Sequence, residues 1–256
     1  MNRRRWLIAL AVLAVVTAAS YAILTYARRE RTVADAVAIY GDAARARLKP
    51  FFTRAHVAYP PRRIAFLIFK KERRLVVWAR DDKAGWRFIR DYAVLAASGR
   101  SGPKQRQGDY QVPEGLYRIA LLNPNSSYHL SMLVDYPNAF DRAQAQRDHR
   151  TNLGGDIFIH GKNLSIGCVA VGDPAIEELF TLAADTGIAR MKVILAPNDL
   201  RVASPPVEAA TPSWILRLWQ TVAAALHEFP IELESNSALG VVGRSKVPSM
   251  KAGMRF

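Results

Sequence analysis

The chain of 256 residues holds one cysteine, Cys168. It lies in the stretch IFIHGKNLSIGCVAVGD, with His160 eight positions upstream, Gly161 beside the histidine and Gly167 directly before the thiol. These residue types at this spacing suit acyl transfer. A thiol of ordinary pKa, about 8.5, attacks a carbonyl as the thiolate, so a neighbouring imidazole must take its proton. A glycine next to the nucleophile lets the backbone come close to the substrate carbonyl, and the amides around Gly167 and Cys168 could stabilise the oxyanion. The bland readings stay open on the residues alone: a lone cysteine is usually a small buried hydrophobe, and a lone histidine is usually structural. The five histidines are dispersed and one cysteine cannot make a thiolate cage, so neither metal nor cofactor is expected.

Stepping the pair into register requires a strand. DIFIH alternates, with Ile157 and Ile159 on one side and Phe158 and His160 on the other. A short return through 161–164 to Ser165-Ile166-Gly167-Cys168 can then set the sulfur beside the imidazole, as a thiolate–imidazolium pair. Downstream, GDPAIEELFTLAADTG predicts a helix with Asp173 as N-cap, Pro174 in the first turn, Ile176, Leu179, Phe180 and Ala183 on one apolar face, and Gly187 at the end. Upstream, the apolar runs 64–69 and 75–78 bracket a charged turn and predict a hairpin, and further strands are expected in WRFIRDYAVLAAS, from Tyr117, in SSYHLSMLVDYP and in RMKVILAP. SWILRLWQTVAAALHEF predicts a second amphipathic helix. Many strands and few helices imply a mainly β domain, a sandwich or closed sheet with helices packed outside.

The ends carry other signals. Arginines precede an uncharged run over 6–27, long enough at 1.5 Å per residue to cross about 30 Å of hydrocarbon. One N-terminal transmembrane helix is therefore expected, with cleavage as an export signal near Ala18, Ala19 and Ser20 as the alternative. Val33, Val37, Tyr40, Ala44 and Leu48 recur at helical spacing and suggest a helical stalk. The resulting division is a membrane anchor or signal segment at 1–29, a stalk at 30–58, a catalytic domain at 59–202, a helical extension at 203–231 and a disordered tail at 232–256. The net charge of +14 points to a polyanionic partner. Nucleic acid is disfavoured, because the basic residues are scattered and no recognised nucleic-acid motif is present.

The H-G…S-x-G-C pattern at His160, Gly161, Ser165, Gly167 and Cys168 resembles the signature of the L,D-transpeptidase catalytic domain of the YkuD type. GPKQRQGDYQVPEGLYRI, YHLSMLVDYPNAFDRA and the short HGKNLSIGCVAVGD look like its YafK-like branch. The resemblance implies a YkuD-like β-sandwich and a cysteine acyltransferase that acts on peptidoglycan stem peptides in cell-wall cross-linking or remodelling. It implies Cys168 as the nucleophile and His160 as the general base, with Gly161, Ser165 and Gly167 shaping the substrate and oxyanion site. Tyr128, His129, Ser131, Tyr136, Asn138 and Asp141 belong to the branch motif, and Lys104 and Asp109 are either part of the site or a solvated loop pair. An inner-membrane anchor would place the domain in the periplasm. Many family members carry a histidine where this chain has Ile166, and a polar residue where it has Ala170. Those departures leave open a hydrolase or amidase that releases diaminopimelate-linked lipoprotein from the wall, and a non-catalytic wall-binding protein with the same fold.

Overall fold

The structure, a computed structural model, describes residues 6, 12–17, 20, 30–81, 85–207 and 211–231. Most of the expected membrane-spanning run, and the tail from 232, lie outside the described residues. Among the described residues no helix is long and apolar enough to cross a membrane.

Among the described residues, ten strands form two five-stranded sheets. The strands are β1 (Arg63–Phe69), β2 (Arg74–Arg80), β3 (Arg87–Ala93), β4 (Ala96–Ala97), β5 (Gly115–Tyr117), β6 (Ile119–Asn123), β7 (Ser131–Val134), β8 (Phe158–His160), β9 (Val169–Ala170) and β10 (Met191–Ala196). The helices are α1 (Val33–Ala55), α2 (Ala139–Arg147), α3 (Asp173–Thr186) and α4 (Ser213–Leu226). The first sheet runs β3-β2-β1-β10-β5 and the second β4-β9-β8-β7-β6. Both are mixed, since β1 pairs with β10 and β8 with β9 in parallel, while their other neighbours are antiparallel. The expected hairpin is β1–β2, with Ile64 opposite Ala79 and Phe69 opposite Arg74.

The apolar run of β1 is continuous because both faces of its sheet are covered. Ile64, Phe66 and Ile68 enter a core shared with Met132, Val134, Ile159 and Val169 of the second sheet. Ala65, Leu67 and Phe69 face the opposite way, into a second core closed by Trp214, Leu218, Trp219 and Val222 of α4. The fold is thus two packed mixed sheets with flanking helices, and the C-terminal helix covers a sheet rather than extending from it. Trp219 donates its indole N–H to the fully buried Glu114 at 2.7 Å, and Glu114 accepts from Lys70 Nζ at 2.9 Å.

The N-terminal helix does not project as a free stalk. Thr32 and Asp35 close a capping box at its start, and the apolar stripe that suggested a stalk faces the shared core, with Ala44 and Leu48 fully buried. Paired charges fasten α1 to α3. Arg45 makes a two-point bond to Asp185, both contacts 2.8 Å, and Arg47 reaches Glu177 at 3.0 Å and Glu178 at 2.6 Å. Glu178 is almost wholly buried, and it also accepts from Arg90 at 2.6 Å and the Tyr92 hydroxyl at 2.8 Å. A buried carboxylate needs such partners, because an unpaired one would not stay ionised.

Candidate active site

β8 is an inner strand of the second sheet, and that fixes the histidine. His160 lies opposite Ser131 of β7 and Ala170 of β9, so its backbone is held from both sides. Its buried ring is held along one edge and one face. Nδ1–H donates to the Gly161 carbonyl at 2.6 Å, and the Tyr128 ring lies 4.6 Å away between centroids. A carbonyl can only accept, so Nδ1 carries the proton and Nε2 keeps its lone pair. This is the tautomer a general base requires.

Gly161 is needed for space. A Cβ there would stand 2.6 Å from Asp173 Oδ1, 2.8 Å from the Tyr128 carbonyl and 3.0 Å from Ile176. Parallel neighbours ordinarily need a crossover of about a dozen residues or more. Here residues 161–168 alone return the chain from β8 to β9. Asp173, expected to cap α3 by its side chain, instead accepts from the Lys162 amide at 2.7 Å and pins this loop; Gly172 takes the cap position without a side-chain bond. Pro174 does occupy the first turn and Gly187 the end of the helix.

Cys168 ends the loop, half-buried, and side chains set its backbone. Ser165 Oγ accepts from the Cys168 amide at 2.9 Å and donates to the Cys168 carbonyl at 2.6 Å. The Gly167 amide donates to Ser98 Oγ at 2.6 Å. Gly167 has φ 97°, a left-handed region that favours glycine. Ser165 thus braces the Cys168 backbone while also lining the cleft that holds Cys168 and His160. The amides of Gly167 and Cys168 are already occupied, so neither is a free oxyanion donor in this arrangement.

The expected ion pair is also absent. The thiol donates to the Asp156 carbonyl at 3.5 Å and accepts from the Phe158 amide at 3.4 Å, with no hydrogen bond to His160. Burial pushes the Cys168 thiol up from its ordinary value, and burial pulls the His160 imidazole down. Both shifts favour neutral forms. For the resting site these directions point to a thiol beside a neutral imidazole rather than to an ion pair.

Cys168 and His160 both line a cleft of about 310 Å³, with Asn123, Asn125, Ser126, Ser127, Tyr128, Ser131, Phe158, Leu164, Ser165 and Ile166. A larger cavity of about 410 Å³ beside α1 is lined by Arg45, Lys49, Phe52 and Tyr59 but offers neither thiol nor imidazole. The smaller cleft is therefore the candidate site, since it brings the thiol and the imidazole together. Ile166 is 72% exposed at its rim, whereas Ala170 is fully buried in β9. Among the described residues no cluster of histidine, cysteine, aspartate or glutamate could hold a metal ion.

The branch-motif residues divide by task. Tyr128 and Ser131 line the cleft. Asn138 and Asp141 form a reciprocal cap on α2, a helix the sequence reading missed, and Asp141 also accepts from the Tyr117 hydroxyl at 3.2 Å. Burial pushes the Asp141 carboxyl up to about 6. The Tyr136 hydroxyl ties down the Leu153 carbonyl at 3.2 Å. Lys104 and Asp109 are no solvated pair: Lys104 is buried and bonds Asp109 at 2.6 Å, while Asp109 also accepts from the Gln105 and Gln111 amides. Ser98, Asp156 and the asparagines at 123 and 125 escaped sequence reasoning. Ser98 sits in a plain AASGR stretch, and Asp156 contributes only its backbone carbonyl, so neither left a side-chain pattern to read.

Two packed mixed sheets carry a strand-borne histidine and a loop-borne cysteine that line one cleft. Residues 63–195, half of the chain, match the family YkuD, the L,D-transpeptidase catalytic domain, and the chain belongs to that family. The chain is 37% identical over 115 residues to "Putative L,D-transpeptidase YafK" of Escherichia coli K12, a match covering 44% of each chain, and equally similar to the protein of that name from E. coli O157:H7. The chain thus spans less than half the length of the curated relatives it matches. Among solved structures it is similar to the helical cell shape determining protein Pgp2 from Campylobacter jejuni, at 22% identity and TM-score 0.44 over 53% of this chain and 48% of that one. It is also similar to Bd1075 of Bdellovibrio bacteriovorus, at 20% identity and TM-score 0.39 over 66% of this chain and 58% of that one.

Proposed function

We propose that the protein is a cysteine acyltransferase that works on peptidoglycan stem peptides. The observation that carries this is the tautomer of His160, whose unprotonated Nε2 is available in the same cleft as the single thiol, within the family's catalytic domain. His160 Nε2 takes the thiol proton as the sulfur attacks a stem-peptide carbonyl carbon. The tetrahedral intermediate collapses, the C–N bond breaks, and the departing amine takes the proton back from His160. A thioester on Cys168 remains. An amine or water then attacks it, giving up a proton to His160 and releasing the thiol.

One observation favours water as a competing acceptor. Ile166 offers no polar atom at the cleft rim, and Ala170 is sealed in its strand, so neither replaces the polar groups found in many family members. A bulky amine needs more positioning than water. On this reading, hydrolysis of an amide at diaminopimelate, including release of a wall-linked lipoprotein, competes with cross-linking. The apolar run at 6–27 and the net charge of +14 support a domain tethered to the inner membrane and facing the anionic wall in the periplasm. Purified protein incubated with muropeptides and a labelled D-amino acid, followed by mass spectrometry, tests the function. Label incorporation or new dimers marks transfer, shortened stems mark hydrolysis, and unchanged muropeptides refute both.

A further inference from the structure

One wall of the catalytic cleft is the loop 123–130, and residues outside the matched domain of 63–195 hold it. Ahead of α1, the Arg31 amide donates to Asn125 Oδ1 at 2.9 Å, and Asn125 Nδ2 donates to the Arg31 carbonyl at 2.8 Å. Further along the loop, adjacent side chains part. Tyr128 lays its ring over His160, while His129 turns toward α1. The parting depends on His129 adopting φ 74°, which is uncommon for a residue other than glycine. Its ring meets Tyr40 edge-on at 4.9 Å, and its Nε2 lies 3.0 Å from Glu177 Oε1. Glu177 is itself bridged to Arg47 of α1 at 3.0 Å. Inside the domain the loop is also tied by Lys162 Nζ to the Ser127 carbonyl at 2.7 Å and by the Gly161 amide to the Leu130 carbonyl at 3.2 Å.

We propose that the N-terminal segment 31–47 braces the catalytic base: Asn125 and His129 act as positioning residues that hold Tyr128 against His160. The proposal rests on the reading of His160 as the base for Cys168. The imidazole edge has one tether, the bond from Nδ1 to the Gly161 carbonyl. The second side-chain torsion of histidine is broad, so a single bond leaves the ring free to rock. The Tyr128 face limits that rocking and keeps Nε2 available to the thiol. Misplacement of a reacting group by about 1 Å can cost on the order of 10²-fold in rate. On this account a helix outside the matched domain contributes to catalysis without touching substrate.

The test uses the full chain and two readouts: the neutral-pH rate at which iodoacetamide alkylates Cys168, and kcat and KM for a stem-peptide donor. His160→Ala defines the part of each rate that depends on the base. Tyr128→Ala and His129→Ala should each lower that part and kcat by roughly 10- to 100-fold, with KM little changed. Tyr128→Phe should recover most of the rate lost in Tyr128→Ala, because the ring and not the hydroxyl contacts the imidazole. Asn125→Ala, which removes both bonds to Arg31, should cost about 3- to 10-fold, the scale of two exposed hydrogen bonds. Adding Tyr40→Ala to His129→Ala should cost little more than His129→Ala alone. Native rates in folded His129→Ala and Asn125→Ala, with His160→Ala slow, would overturn the brace and leave the base reading standing. A native alkylation rate in His160→Ala would instead refute the base itself. If His129→Ala fails to fold, equal rates in Tyr128→Ala, Tyr128→Phe and the wild type overturn the proposal.

Discussion

The two halves of the proposed catalytic pair are held by different physics. His160 sits in an inner strand, where β7 and β9 hold its backbone on both sides. Cys168 ends a loop whose geometry rests on Ser98 Oγ, Ser165 Oγ and two glycines. A ladder is cooperative and resists the loss of any one bond; a loop held by single side chains does not. Substitutions around the histidine should therefore trade against folding. Substitutions around the cysteine should alter reactivity while leaving stability nearly intact.

The largest effect should come from His160→Ala. Loss of a positioned base typically costs about 10²- to 10⁴-fold in turnover. The resting wild-type thiol should also titrate above the ordinary thiol range, since burial raises it and no imidazolium stands beside it. An alkylation profile measured against pH checks this; a limb below the ordinary thiol value would restore the ion pair.

The two glycines sharpen the contrast. In Gly161→Ala the new methyl must push the Asp173 carboxylate, the Tyr128 carbonyl and Ile176 from contacts of 2.6–3.0 Å. Overpacking of that kind costs about 1–3 kcal/mol, so both melting temperature and activity should fall. In Gly167→Ala the nearest atom is 3.6 Å away, and only the φ of 97° resists. That should cost about 1–2 kcal/mol, with the larger consequence appearing in kcat, because the turn that sets the Cys168 backbone must rearrange. Thermal melts and turnover on the same samples separate the two.

Ser98→Ala and Ser165→Ala should cost about 1 kcal/mol each in stability, the scale of a hydrogen bond. Both free an amide next to the sulfur. If the amides are required for the resting geometry, alkylation of Cys168 should change in both variants while the melting temperature falls by only about 2–4 °C. A large loss of stability with unchanged alkylation would erase the distinction between strand and loop.

The smallest effect on turnover concerns Asp141. Its folded pKa of about 6 lies above the ordinary carboxyl value of 3.8. For a group raised on folding, the stabilising contribution is complete below the unfolded value and is lost as pH rises through the folded one. The melting temperature should therefore drop between about pH 4 and pH 6 through this group, and Asp141→Asn should flatten that drop without removing turnover. A wild-type curve already flat over that window would refute the assignment.

This contrast also explains what could be read from the sequence. The β8 alternation placed His160 in a strand, and the amphipathic faces of α3 and α4 were visible because burial imposes a period on sequence. The stripe on α1 was equally visible, but nothing in it told a stalk from a core helix; that difference lies in the ion pairs from Arg45 and Arg47 to carboxylates more than a hundred residues away. The capping of α3 was misplaced by one residue because Asp173 had a tertiary partner, the Lys162 amide. That histidine and cysteine share a cleft was legible from their spacing. Their protonation states were not, because burial and the Asp156 carbonyl come from the fold. Helix α2 was missed because its sequence, AFDRAQAQR, is largely polar and has no clear apolar face; its start is set by the Asn138–Asp141 cap.

The most direct test of the central claim is intact-mass spectrometry of the protein quenched in acid during turnover of a stem-peptide donor. A thioester adduct on Cys168 is predicted in the wild type. It should form slowly in His160→Ala and be absent in Cys168→Ala, with all three proteins folded. Turnover by Cys168→Ala, or turnover by the wild type through no covalent adduct in a quench that preserves thioesters, would contradict the account.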